Sequence, residues 1–301
     1  MNWHLFIGHA VFFGSLLVTL ILITGVKLLR ARHRRRSPMH GRKVGHVPGQ
    51  QLLDRIEVES SEVGYAFDVM ILSLPLLFLF WATAKINWAN VRIGLLEVGL
   101  AIGWLACLAY GVWKYRRHEQ LRERARDGLL AERVTGMQLN RLVAQGCLVL
   151  HDLPCEVGNI DHVVIAPRGV YAVETKSFRK PVDVGDVRNE PGHQVRFNGK
   201  ELQFPDFVKR EPVEQAVKQA EWLRRYLRDA VKLEVPIIPA IALPGWYIVQ
   251  DEEVWRTASV KVFTPLGDGA NFMSMGVARI DPEQRQLLAT ALAQLFPATS
   301  A

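Results

Sequence analysis

Asp161, Glu174 and Lys176 are charged residues set inside two apolar runs, Asn159-Ile160-Asp161-His162-Val163-Val164-Ile165-Ala166 and Gly169-Val170-Tyr171-Ala172-Val173-Glu174-Thr175-Lys176. Pro167-Arg168-Gly169 between them supplies turn chemistry, so the two runs predict an antiparallel hairpin. Asp161 lies about as far before the turn as Glu174 and Lys176 lie after it, and a ladder of that register sets them roughly opposite one another. Glu174 and Lys176, two apart, share a strand face, and Thr175 points to the other. Burying such charges is costly unless they are paired or hold an ion. Two carboxylates at a strand end suit a hard divalent cation that keeps several waters, and the neighbouring lysine can orient or activate one of them.

The pattern resembles the Asp…Glu-x-Lys core of the restriction-endonuclease-like nuclease superfamily. More closely, Ile160-Asp161-His162-Val163-Val164-Ile165 with Gly169-Val170-Tyr171-Ala172-Val173-Glu174-Thr175-Lys176 resembles the nuclease-related domain, NERD. A bare Glu-x-Lys carries little information; the whole run is specific. The resemblance extends more weakly from about Asp127 to about Phe296. It implies magnesium- or manganese-dependent hydrolysis of nucleic acid, DNA ahead of RNA. Asp161 and Glu174 would hold the metal together with the Thr175 backbone carbonyl, and Lys176 would polarise the attacking water.

Two further elements of the family pattern have counterparts. Gly128-Leu129-Leu130-Ala131-Glu132 matches a Gly-x-x-Gly-Glu element with Ala131 in place of the second glycine. It implies that Glu132 adds a helical carboxylate, possible as a metal ligand, where the residue alone reads equally as a solvated helical acid. Pro212-Val213-Glu214-Gln215 matches a Pro-x-x-Gln element. It implies that Gln215 touches the metal-bound water or a phosphate, against the plain reading of a polar residue at a helix edge. Gln219, four residues on, shares that helix face.

The elements that would position these groups follow from apolar periodicity. Leu129 to Val143 predicts the domain's first helix, after a break at Gly128, with a core stripe of Leu130, Val134, Met137 and Leu142. Gly146 to Leu153 predicts a strand. Val195–Phe197 and Glu201–Phe204, joined by Asn198-Gly199, predict a second hairpin without obvious chemistry. Pro212 opens a helix to about Val231. Val235 to Leu243 reads as a buried central strand, Val260 to Phe263 as another, and Asp281-Pro282-Glu283 as the start of a final helix to Phe296. Helices alternating with strands give an α/β domain over 127–301, with a mixed, restriction-endonuclease-like central sheet flanked by helices.

Residues 1–126 read differently. Leu5–Leu29, Ala66–Ala84 and Ile93–Trp113 are each apolar over close to the roughly 20 residues that cross a bilayer, which predicts an α-helical membrane region of three spans. Arginines and lysines crowd the stretch after the first run and again after Trp113, and only Lys85 and Arg92 separate the other two. The positive-inside rule then puts the chain start outside and residues 30–65 and everything after the third span in the cytoplasm, a multi-pass protein of the inner membrane. The net charge of +7 comes largely from these flanks and fits anionic lipid or nucleic acid. Pro75 and Glu97 are compatible with long buried helices instead. Glu97 is also the one intramembrane acid that a transporter reading can use, and a plain anchor accounts for it as well.

The three cysteines, Cys107, Cys147 and Cys155, exclude a disulfide scaffold and fit a reducing compartment. Cys147, His151, Cys155 and His162 match no zinc spacing. A non-catalytic membrane-tethered scaffold that binds nucleic acid is the rival to the nuclease, since fold does not guarantee chemistry. An intact Asp…Glu-x-Lys set favours catalysis.

Overall fold

Of the chain, the computed structural model describes residues 50–84, 94–156, 158–180 and 193–296. They fall in two units, one taking in 56–123 and the other 50–55 together with the described residues from 124 on.

The first unit is a helical pair. Helix α1, Gln50–Ala84, continues through Pro75, and α2, Leu95–Asn140, passes on into the second unit. The two run antiparallel. Gly111 lies so close to α1 that a Cβ there would come within 2.5 Å of Met70 Cγ, and Ala66 is buried nearby. Lys114 Nζ meets Glu62 Oε2 at 2.6 Å, and His118 Nδ1 meets Glu59 Oε2 at 2.6 Å. Beyond these charges the pair presents Tyr65, Phe67, Ile71, Leu72, Ile102, Leu105 and Trp113 to the outside.

Three membrane spans are not what the described residues show. One segment, Leu52–Leu77, is long and apolar enough to cross a membrane, by length and composition. It covers only part of the predicted 66–84 run and starts earlier. The run at 5–29 lies outside the described residues. The run at 93–113 is helical from Leu95 but is not among the described segments that meet that standard, and residue 93 with several side chains of the first turns lies outside the description.

The second unit is mixed α/β. Strands β1 (Leu148–Cys155), β2 (Gly158–Ala166), β3 (Gly169–Thr175), β7 (Ile237–Ala242) and β9 (Lys261–Phe263) form one sheet in the order β1-β2-β3-β7-β9. β1, β2 and β3 are antiparallel neighbours, whereas β3, β7 and β9 run parallel. A smaller sheet, ordered β6-β5-β4-β8, contains β4 (Gln194–Phe197), β5 (Leu202–Gln203), β6 (Val208–Lys209) and β8 (Tyr247–Val249). The predicted Asn198-Gly199 hairpin is its β4–β5 part, Gly199 taking the positive φ of 92° that a glycine allows.

Helix α3, Glu211–Val231, covers one face of the main sheet. Its Ala220, Leu223 and Leu227 pack on Val163, Ile165 and Ala172. Helix α5, Pro282–Ala293, closes the same layer and begins in a capping box of Asp281 with Gln284. The opposite face packs Val164, Tyr171 and Val173 against Leu139 and Leu142, from the end of α2 and the 3₁₀ turn Arg141–Gln145. A short helix α4, Glu252–Thr257, lies between β8 and β9 and has no apolar period to announce it.

Two sequence expectations about α2 need correction. No break occurs at Gly128: glycine costs about 1 kcal/mol in a helix interior, and packing of the following turns outweighs that. The core stripe is rotated as well. Leu130 and Met137 are exposed, while Ala131, Thr135, Gly136 and Leu139 are buried. Small residues face inward because the sheet offers imidazoles there: a Cβ on Gly136 would stand 3.4 Å from Cε1 of both His151 and His162.

A candidate active site at one end of the central strands

The β2–β3 hairpin turns at Pro167-Arg168, with Ala166 opposite Gly169 and His162 opposite Val173. One step further, Asp161 stands across from Glu174, on the face that α3 covers. On the other side of β2 the pairs His151↔His162 and Leu153↔Ile160 bracket Asp152, which therefore stands across from Asp161. Three neighbouring strands, β1, β2 and β3, thus carry a row of carboxylates, Asp152, Asp161 and Glu174.

Glu174 is buried and held by three donors. Lys176 Nζ lies 2.6 Å from its Oε1, Gln215 Nε2 donates to Oε1 at 2.8 Å, and Gln219 Nε2 donates to Oε2 at 2.6 Å. The two glutamines are one turn apart on α3, so Pro212, in the first turn of that helix, sets where the amides reach. Gln219 also donates to the Asn159 carbonyl at 2.9 Å, which ties α3 to β2 beside Asp161. Gln219 is fully buried, and its own carbonyl oxygen has no hydrogen-bond partner among the described residues.

Asp161 is half-buried. Its Oδ2 accepts the Thr175 backbone N–H at 2.6 Å. The hydroxyl of Thr175 is buried. Burial, and then the charges of Glu174 and Glu132, push the Asp161 carboxyl well above the ordinary aspartate range, against the opposing pull of the Thr175 N–H and Lys176. Glu132 comes from α2, two turns before Leu139. Burial, followed by the charges of Asp152 and Glu174, raises its carboxyl to about 7. No hydrogen bond or ion pair engages Glu132 among the described residues.

Asp152 was not anticipated. It is buried, has a left-handed φ of 52°, and accepts from Asn159 Nδ2 at 2.5 Å. An aspartate in the left-handed region inside a strand has no periodic signature, and only the hairpin register reveals its neighbour. Gln219 was legible as a face-mate of Gln215, but its grip on Glu174 was not.

His162 is on the far face, as strand alternation requires, with its Nδ1 2.8 Å from His151 Nδ1. His151 Nε2 in turn meets Asn140 Oδ1 at 3.0 Å. Burial, and then the neighbouring imidazole, depress His162 to about 3, so this pair is neutral at ordinary pH. Cys147 packs in the core below.

The structure therefore gathers Glu132, Asp161, Glu174, Lys176 and Gln215 at one end of the central strands of the main sheet. Crowded, desolvated carboxylates with raised proton affinity favour a cation among them, and oxygen donors suit magnesium or manganese rather than zinc. Among the described residues no three histidine, cysteine, aspartate or glutamate side chains close into a metal cage. A cation bound by one or two carboxylates and several waters does not need one.

Searches against curated proteins and against solved structures each return no match. A family model does match. Residues 127–244, which carry every side chain of this cluster, fit the family described as the nuclease-related domain, NERD, and the chain carries a domain of that family there.

Proposed function

We propose that the chain is a membrane-anchored, divalent-metal-dependent nuclease that hydrolyses phosphodiester bonds, with DNA ahead of RNA as substrate. The observation that carries this reading is the meeting of Glu174, Lys176 and Asp161 with the two α3 glutamines inside a nuclease-related domain.

Asp161 and Glu174, with the Thr175 carbonyl and Glu132, would hold magnesium or manganese. The metal, when bound, supplies a lowered water pKa and a counter-charge to the phosphorane-like transition state. Lys176, which meets Glu174 Oε1, would donate to the attacking water or the phosphate oxygen. Gln215 shares that oxygen and would position the same water. Membrane attachment rests on Leu52–Leu77 and on the apolar side chains that α1 and α2 expose beyond the Glu62–Lys114 and Glu59–His118 pairs. Cytoplasmic placement rests on the basic flanks alone.

A cleavage panel tests this: single- and double-stranded DNA and RNA, with magnesium, manganese or chelator. Wild type cuts with metal only, and Asp161→Asn, Glu174→Gln and Lys176→Ala each lose at least a hundredfold while staying folded. Full activity in Glu174→Gln refutes the mechanism. A second reading has an observation of its own. Glu174 already has both oxygens satisfied by the chain's own donors, as in a domain that binds nucleic acid without cutting it. Binding without cleavage by wild type under any metal would establish that reading instead.

A further inference from the structure

A cavity of about 690 Å³ opens at the opposite end of the strands, beside the β2–β3 turn and the starts of β7 and β9. From Arg168 to Glu174 a strand spans on the order of 20 Å, so the two places are distinct. Its walls include Arg168, Tyr171, Trp255, Lys261, Phe272 and Met275.

The charges here are unbalanced. Arg256, on the rim, is taken by the Glu252 carboxylate. Lys261 donates to the carbonyls of Trp255 and of Ala258, the latter at 3.2 Å, which leaves an ammonium N–H. Arg168 makes no hydrogen bond or ion pair among the described residues, and burial, followed by the Arg168 charge, lowers the proton affinity of the Lys261 ammonium. Gly276 makes room for it, because a Cβ there would stand 3.3 Å from Arg168 Cδ. Tyr171 is 2% exposed, yet its hydroxyl has no hydrogen-bond partner among the described residues.

The rest of the wall is aromatic. Phe272 meets Tyr171 edge-on with ring centroids 5.7 Å apart, and Trp255 edge-on at 4.9 Å. Trp255 and Phe272 are half-buried, and Met275 is exposed.

An apolar ligand would leave the Tyr171 hydroxyl unsatisfied and the two cations unused, and a bare anion would leave the aromatic wall wet. A phosphate joined to a planar base uses both, and the volume falls within the roughly 300–1,000 Å³ of small-molecule sites. We propose that this cavity binds a nucleoside phosphate, its phosphate on Arg168 and Lys261 and its base against Trp255 and Phe272. Arginine's planar fork matches phosphate oxygens, and base stacking on aromatic rings tolerates any base. The site is independent of cleavage at Glu174.

Calorimetric titration of the full-length chain in chelator, with adenosine 5′-monophosphate, inorganic phosphate and adenosine, tests it. The nucleotide saturates one site, and each of the other two binds at least tenfold more weakly. Arg168→Ala, an exposed turn position, weakens the nucleotide at least tenfold, Arg168→Lys less, and Lys176→Ala leaves it unchanged. No saturation by the nucleotide, equal affinity for inorganic phosphate, indifference to Arg168→Ala, or loss in Lys176→Ala would each overturn the proposal. A 5′-phosphorylated oligonucleotide separates the sources: tighter binding than the mononucleotide assigns the site to strand ends, and weaker or equal binding to free nucleotides.

Discussion

Replacing Glu132 by glutamine should make the domain more stable at pH 8 in chelator. Glu132 has no hydrogen-bonding partner to lose among the described residues, so the change removes a charge and little else. Its carboxyl rises from 4.5 to about 7 because burial, Asp152 and Glu174 disfavour the charged form. The folded state therefore holds the proton more tightly than the unfolded one. Stability falls as pH climbs from about 4.5 to about 7, and the loss is complete above that. At 1.36 kcal/mol per tenfold change in proton affinity the loss is about 3 kcal/mol, and about 2 kcal/mol once water at a half-buried side chain is allowed for. Urea unfolding followed by tryptophan fluorescence, at pH 4.5 and pH 8 in chelator, compares the two proteins at equal pH, so titrating groups outside the acid cluster cancel, and relief of Asp161 adds to the gap in the same direction. Glu132→Gln should match wild type at pH 4.5 and exceed it by about 2 kcal/mol at pH 8. Saturating magnesium should narrow the gap, because an ion bound to the folded state stabilises the protein that retains the carboxylate. A variant less stable than wild type at pH 8 would refute the picture of crowded, uncompensated acids.

Three more outcomes follow from the same geometry. Gln219→Leu strips a donor from buried Glu174 Oε2 and from the Asn159 carbonyl, and should cost about 2–4 kcal/mol in urea unfolding; unchanged stability would mean that the amide is not holding the glutamate. His162, depressed to about 3, binds its proton more readily when unfolded, so stability is lost as pH falls from about 6.5 toward 3. His162→Phe should remove about 2–3 kcal/mol of the wild-type loss between pH 7 and pH 4.5, and an equal loss in both proteins would contradict this. Gly136→Leu would drive a side chain into His151 and His162 and should cost about 2 kcal/mol where Gly136→Ala costs less; a circular-dichroism melt that ranks the two the other way would contradict the close approach.

The hairpin was legible because its turn and its apolar alternation agree, and the charges within it then fell into register. Pro212 fixed the phase of α3, so Gln215 and Gln219 could be placed on one face. Three things were hidden. The inward stripe of α2 is made of small residues chosen by the histidines opposite, which no scan for large apolar side chains detects. Asp152 takes part through a left-handed backbone that strand periodicity does not encode. The second sheet depends on β8 pairing with β4 across more than fifty residues, and such short strands acquire their identity from the partner. The predicted membrane region rested on apolar run length and basic flanks, and among the described residues only Leu52–Leu77 is long and apolar enough to cross.

Surface connections are ordinarily the most forgiving part of a chain, since extra length there costs little entropy. The Pro167-Arg168 connection is an exception. An insertion of one residue would slide β2 by one place against β3, and the alternating sides would trade occupants. Imidazoles would then look toward the glutamines and acids toward the greasy underside. The tightness of that loop is a gauge for chemistry, and lineages carrying this domain should vary its residues far more freely than its length.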